Sequence, residues 1–236
     1  MTAPSGVRLS LEHLVRGPAP GVTPDGGRPP LLLLLHGVGS NERSMAALAS
    51  AFDPRFLVVS ARSPIVLAPD SFAWFHVSFT AQGPVIDAAE AAAGWAHVAR
   101  FIDEAVAAYG ADPARAYAAG FSQGAIMALA ALLTAPGHIA GAAAMSGRLL
   151  PEVLPHMASP DALRGKPVLI VHGNQDETLG IHFARLAREQ LQRLPIVLSY
   201  RELPMAHAVT AESLAEVSSW LTSLLDGPGH PASGGS

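Results

Sequence analysis

The chain has 236 residues, half of them hydrophobic, and a formal net charge of −4. This length and apolar content suit a single α/β domain, and the Lys and Arg residues are too scattered to form a nucleic-acid surface. Cysteine is absent, which excludes disulfides, thiolate metal sites and a cysteine nucleophile, and is compatible with a cytoplasmic location.

Neither a signal peptide nor a membrane span is expected. The N-terminal segment lacks a basic region followed by an apolar core. Residues 116–147 contain no Asp, Glu, Lys or Arg, but Pro136 and Gly137 interrupt this apolar stretch. The interruption favours buried strands and a helix over a membrane-spanning segment.

Strand and helix patterns alternate along the chain. Apolar runs predict strands at residues 7–15, 31–37, 56–61, 115–119, 139–145, 167–173 and 196–203. Helical composition predicts helices at residues 41–51, 87–109, 125–133, 181–194 and 211–225. This alternation predicts a mostly parallel central sheet with helices on both faces and no large lid domain. We place the domain at residues 1–225 and expect the small, polar tail at 226–236 to be disordered.

The sequence Gly-Phe-Ser-Gln-Gly at residues 120–124 lies between a predicted strand and a predicted helix. A nucleophile elbow, G-x-S-x-G, requires this context, because its serine occupies a strained turn that is flanked closely by backbone. Ser122 would then stand at a helix N-terminus, where negative charge is favoured. Composition alone could also produce this pattern as a simple turn between two buried elements.

Two polar residues after later strands favour the catalytic interpretation. Asp176 follows the buried strand at 167–173, and His207 follows the strand at 196–203. The order Ser122, Asp176, His207 is the one that α/β-hydrolases use, and parallel sheets gather their active sites at the ends of their strands. The loop after the leucine strand at 31–37 can supply a backbone N–H as an oxyanion donor.

Five segments together resemble the phospholipase/carboxylesterase branch of the α/β-hydrolases, which includes small bacterial carboxylesterases and acyl-protein thioesterases. They are LLHGVG, AWF at residues 73–75, GFSQG, VHGNQDE and MAHAV, and they span about residues 31–209. The resemblance implies Ser122 as nucleophile, Asp176 as acid and His207 as base. It also implies the backbone N–H groups of Val38 and Gln123 as the oxyanion hole.

The apolar segment before the helix at 87–109 has two interpretations. Its large side chains, Leu67, Trp74, Phe75 and Phe79, are either ordinary core or the wall of an acyl pocket. The resemblance implies the second, because the family places its AWF segment near the site. Nothing in the sequence decides whether the neighbouring His76 faces the pocket.

Other acids and histidines compete for the same roles. Glu177 is a rival to Asp176 as the acid, and the resemblance favours Asp176. His36 and His172 each end a strand, where a structural hydrogen bond is the expected role. The chain departs from the family pattern at Ala125, at Ala206 and in the acid loop at 177–180, which bears on substrate preference more than on catalysis.

The function that these residues predict is hydrolysis of short- to medium-chain carboxylic esters through an acyl-enzyme, with no metal or organic cofactor. The expected partner is a small-molecule acyl ester. The alternatives are an acyl thioesterase or lysophospholipase, and a non-catalytic hydrolase-fold binding module. The family contains both monomers and dimers, so the sequence leaves a homodimer open.

Overall fold

A computed structural model describes residues 8–22, 27–80 and 83–227. Its central sheet has seven strands in the order β1-β3-β2-β8-β9-β10-β11. β1 runs antiparallel to β3, and every other neighbouring pair is parallel. The strands are β1 His13–Arg16, β2 Pro30–Leu35, β3 Leu57–Ala61, β8 Asp112–Phe121, β9 Gly141–Met145, β10 Pro167–Gly173 and β11 Val197–Leu203.

Helices cover both faces of this sheet, and the leucine strand β2 shows why. Leu31, Leu33 and Leu35 point into one apolar core, whereas Leu32 and Leu34 point into the other. A strand that is buried on both faces needs apolar residues at every position, because successive side chains alternate between faces. The helices are α1 Glu42–Ala46, α2 Ala88–Tyr109, α3 Gln123–Thr134, α4 Pro160–Leu163, α5 Ile181–Leu191 and α6 Ala211–Leu225.

The mostly parallel α/β architecture predicted from the sequence is confirmed, with differences in detail. The helix predicted at 41–51 is divided into α1 and a 3₁₀ turn at Ala49–Ala51. Two hairpins between β3 and α2 were not predicted: β4 Ile65–Ala68 with β5 Ser71–Ala73, and β6 Val77–Thr80 with β7 Gly83–Ile86. The two strands of each hairpin pair with each other and not with the main sheet, and each strand has only three or four residues, which gives too short a pattern to predict.

Some sequence predictions fall on residues that are outside the described ranges. Of the predicted tail at 226–236, only residues 226 and 227 are described, and of the predicted domain at 1–225, residues 1–7, 23–26 and 81–82 are not. Within the described ranges there is no further domain beside the sheet, its helices and the hairpins. The described helices include none that is both long and apolar enough to cross a membrane.

Helix α3 packs against β2 at a point where only glycine fits. A Cβ placed on Gly124 would lie 2.1 Å from the Leu35 carbonyl oxygen and 2.7 Å from the His36 carbonyl oxygen. Both are backbone atoms, which cannot move without displacing the strand. The close approach brings the start of α3 to the end of β2.

We expect Gly124→Ala to destabilise the protein by more than about 4 kcal/mol, although alanine is intrinsically the better helix former by about 1 kcal/mol. Urea unfolding, or the soluble yield if the variant does not fold, measures the effect. Gly137→Ala is the matched control, because nothing lies within 4 Å of a Cβ at that exposed position. Equal stability of the two variants would show that the contact between α3 and β2 is not tight.

Candidate active site

Ser122 occupies a strained turn between β8 and α3. Its backbone φ is 54° and its ψ is −117°, a conformation that costs a residue with a side chain of order 1–3 kcal/mol. The Ser122 N–H donates to the Met145 carbonyl on the neighbouring strand β9 at 2.9 Å, which holds the turn in place. The hydroxyl therefore stands at the N-terminus of α3, as the elbow pattern predicts.

The structure brings Ser122, His207 and Asp176 together in one chain of hydrogen bonds. Ser122 Oγ lies 3.0 Å from His207 Nε2, and His207 Nδ1 lies 2.7 Å from Asp176 Oδ2. Nδ1–H donates to the carboxylate, which leaves Nε2 free to accept the serine proton. The Asp176 side chain is fully buried and the His207 side chain is 18% exposed.

The loop after β10 orients the Asp176 carboxylate. Its second oxygen, Oδ1, accepts backbone N–H bonds from Thr178 at 2.9 Å and from Leu179 at 2.8 Å. These bonds fix the rotation of the carboxylate, so that Oδ2 faces His207. Glu177, the rival acid, is exposed, and the carboxylate that is hydrogen-bonded to His207 is that of Asp176.

Two buried histidines lie at strand ends beside this site. His36 donates through Nδ1–H to the Gly37 carbonyl at 2.8 Å and accepts the Ser63 N–H at Nε2, which is the structural role expected for it. His172 donates through Nε2–H to the Leu179 carbonyl at 2.7 Å, while its buried Nδ1 has no hydrogen-bond partner among the described residues. Burial lowers the pKa of both imidazoles, so both are neutral.

Val38 and Gln123 both line the cavity beside Ser122. The Gln123 N–H is the first of α3 and therefore has no carbonyl to bond within the helix. In the described parts of the chain, no protein acceptor is bonded to the Val38 N–H. Neither amide has a hydrogen-bond acceptor among the described residues.

The Gln123 side chain has a role that sequence reasoning missed. Its Oε1 accepts the Trp74 N–H at 2.7 Å, and its Nε2 donates to the Phe75 carbonyl at 2.6 Å. These bonds fasten the AWF segment to the residue after the nucleophile. The AWF and GFSQG motifs occur together in the family pattern, and this co-occurrence could have indicated the contact. They are far apart in the sequence, however, so no local pattern predicts that the Gln123 side chain bonds the AWF segment.

A cavity of about 470 Å³ opens above Ser122, and its lining is mostly apolar. Phe75 lines it, as the acyl-pocket prediction expects. Trp74 and Leu67 do not: Trp74 is buried with its indole N–H on the His36 carbonyl, and Leu67 is 43% exposed on β4. Phe79 lies on β6, and its side chain is outside what the structure describes.

His76 is exposed and pairs with Glu90 at 2.8 Å, away from the cavity lining. The described residues contain no cluster of three or more side chains that could hold a metal ion. Besides Ser122, His207 and the neighbouring amides, a few further polar side chains line the cavity.

The sheet order, the strained serine between a strand and a helix, and the acid and histidine after later strands define an α/β-hydrolase fold. Residues 22–225 match the family model described as phospholipase/carboxylesterase. The chain belongs to the phospholipase/carboxylesterase family.

Several known proteins are similar to this chain. The esterase YpfH of Escherichia coli is 32% identical over 178 residues, which cover 72% of this chain and 71% of YpfH. Acyl-protein thioesterase 1 of Gibberella zeae is 34% identical over 115 residues, 48% of this chain and 49% of that protein. The crystal structure of a carboxylesterase from Mesorhizobium loti superposes with a TM-score of 0.70 and 28% identity, over 84% of this chain and 89% of that one. The chain spans about half the length of some curated relatives that it matches, the Gibberella protein among them.

The buried neutral histidines make stability depend on pH. Because burial lowers the folded-state pKa of His172 below the value of 6.5 for an unperturbed histidine, the unfolded chain binds a proton that the folded chain does not. The stabilisation is complete above about pH 6.5 and is lost as the pH falls below it. His172→Gln keeps a donor and removes the titrating group.

We expect wild type to lose about 1 kcal/mol more unfolding free energy than His172→Gln between pH 7.5 and pH 5.5. Urea unfolding at the two pH values measures this difference. His156→Gln, at an exposed position, should behave like wild type. Equal losses in wild type and His172→Gln would contradict a neutral buried His172.

Proposed function

We propose that this protein is a serine hydrolase that cleaves short- to medium-chain carboxylic esters. The observation that carries the proposal is the continuous set of hydrogen bonds from Ser122 Oγ through His207 to buried Asp176, at the floor of a mostly apolar cavity. A nucleophile, a base and a group that orients the base are the arrangement that acyl transfer requires. Relatives named carboxylesterase, esterase and acyl-protein thioesterase support the same class of reaction.

In the proposed reaction, His207 Nε2 removes the Ser122 proton as Oγ attacks the ester carbonyl carbon. The imidazolium then donates that proton to the leaving alcohol, and the acyl group stays on Oγ. Water, deprotonated by the same nitrogen, attacks the acyl-enzyme and releases the carboxylic acid. Asp176 holds the imidazole tautomer and stabilises the imidazolium, and it does not itself take the proton.

The N–H groups of Val38 and Gln123 are proposed to bind the oxyanion of each tetrahedral intermediate. Loss of one donor of this kind typically costs about 3 kcal/mol in the barrier. The Gln123 side chain supports this arrangement, because its bonds to Trp74 and Phe75 fix the residue whose amide is used.

A cytoplasmic location and a homodimer remain predictions from the sequence.

Hydrolysis of a p-nitrophenyl ester series from acetate to dodecanoate tests the proposal, with wild type and Ser122→Ala compared at each chain length. We expect turnover by wild type that is greatest at the shorter chains, and its loss in Ser122→Ala. A preference for the longest chains would favour the thioesterase or lysophospholipase alternative. No turnover that depends on Ser122, together with no labelling of Ser122 by a fluorophosphonate, would favour a non-catalytic binding module.

The identity of the acid is tested by a pair of neighbouring substitutions. Asp176→Asn should lower kcat by about 10⁴-fold, because an amide holds the wrong imidazole tautomer and cannot stabilise the imidazolium. Glu177→Gln is the matched control and should change kcat less than twofold, since Glu177 is exposed and His207 is hydrogen-bonded to Asp176 instead. A large loss in Glu177→Gln with little loss in Asp176→Asn would reverse the assignment.

A further inference from the structure

We propose that Arg148 is a substrate-recognition residue that binds a carboxylate, and that the preferred substrates are esters carrying a second, anionic group. This inference rests on the proposed esterase function and adds the chemical class of the substrate. It arises from a charged side chain that the proposed reaction itself does not use.

Arg148 lies next to the nucleophile because of how β9 ends. The strand is followed by Ser146 and Gly147, and a Cβ built on Gly147 would lie 2.6 Å from the Ala125 Cβ and 3.4 Å from the Ser122 carbonyl oxygen. This turn therefore packs against the nucleophile elbow. The next residue, Arg148, contributes its side chain to the wall of the cavity.

Arg148 is the one Lys, Arg, Asp or Glu among the described residues that line the cavity. Most of the other lining residues are apolar, Ile126, Leu179 and Val209 among them. An acyl chain alone would need no such charge, because apolar surface is sufficient to bind it. A guanidinium in this place selects for a negatively charged group on the ligand.

The guanidinium has no hydrogen-bond partner in the described parts of the chain. It stacks over the Phe183 ring at 5.4 Å, which holds it in place and leaves its N–H groups unpaired. By contrast, Arg62 makes two bonds of 2.7 Å to Glu42, and Arg185 makes two to Glu202. Arg188 is also stacked on a ring, that of Tyr200, but it does not line the cavity.

Glu152 is the acidic residue whose charge acts on Arg148, yet the two form no ion pair. The Glu152 Oε2 is itself buried without a hydrogen-bond partner. Its negative charge lowers the net positive potential at Arg148 but leaves the guanidinium N–H groups free for a ligand. Glu152 is therefore a competitor that sets how strongly an anion binds.

Desolvation gives the energetic reason for anion binding. Burial lowers the pKa of Arg148, but a guanidinium stays protonated under all ordinary conditions. A charge that is partly withdrawn from water without a hydrogen-bonded counterion is unfavourable, and a carboxylate offsets that loss. Two parallel N–H···O bonds would also orient the ester relative to Ser122.

The test compares charged and neutral esters of the same shape. Monomethyl adipate and dimethyl adipate differ by a carboxylate on the acyl side. 4-Acetoxybenzoate and its methyl ester differ by a carboxylate on the alcohol side. The enzymes are wild type, Arg148→Met, Arg148→Lys and, as a control, Arg193→Met, which removes an exposed arginine away from the cavity.

For the charged ester of at least one pair, we expect Arg148→Met to raise KM about tenfold or more, with kcat changed less than twofold. The KM of its neutral partner should be unchanged, Arg148→Lys should be intermediate, and Arg193→Met should match wild type. The pair that responds identifies the side on which the carboxylate is bound. Equal changes of KM for charged and neutral esters in both pairs would overturn the proposal, since they indicate a purely structural role.

Glu152→Gln tests the same site without removing the arginine, and it decides the outcome if Arg148→Met does not fold. It should lower KM for the charged ester and leave the neutral ester unchanged, and no difference would count against the proposal. Hydrolysis of the neutral esters that depends on Ser122, without any effect of Arg148, would refute this inference alone. If no ester is hydrolysed, the proposed function fails, and calorimetric titration of adipate into Ser122→Ala and Ser122→Ala/Arg148→Met still reports whether Arg148 binds a carboxylate.

Discussion

The strained turn at Ser122 is the constraint on which the rest of the site depends. A positive φ at a serine is unfavourable and persists only where surrounding structure enforces it. Here β9 accepts the Ser122 N–H, and the absence of a side chain at Gly124 lets α3 approach the end of β2. The strain is offset by the packing of a sheet that is buried on both faces, so the reactive hydroxyl is part of the core rather than of a mobile loop.

The same close packing assembles the groups around the hydroxyl. β10 and β11 are neighbours in the sheet, so the loops that follow them bring Asp176 and His207 side by side. Gln123 ties the start of α3 to the AWF segment, which places Phe75 on the cavity while Trp74 fills the space beneath. In the proposed function, the polar groups at the floor of the cavity carry out the reaction, and the apolar groups on its wall bind the substrate.

Arg148 adds a charged group to a mostly apolar wall. A guanidinium that is stacked on Phe183 but not hydrogen-bonded is poised for a ligand rather than for the fold. The departures from the family pattern at Ala206 and in the acid loop lie near the same cavity, whose lining includes Thr178 and Leu179. In the proposed function, the loops after β10 and β11 carry Asp176 and His207 and, together with the loop after β9, also contribute to the cavity lining.

The sequence by itself determined the alternation of strands and helices and the order of Ser122, Asp176 and His207, because buried strands, helix caps and the nucleophile elbow are local patterns. It could not predict the two hairpins before α2, because their strands are short and partly exposed. It also could not distinguish Phe75, which lines the cavity, from Trp74 and Leu67, because apolar side chains occur both in a core and in a pocket wall. The tertiary structure alone decided that Arg148 faces the cavity and that the Gln123 side chain bonds the AWF segment. Both depend on contacts between residues far apart in the chain, which local patterns do not encode.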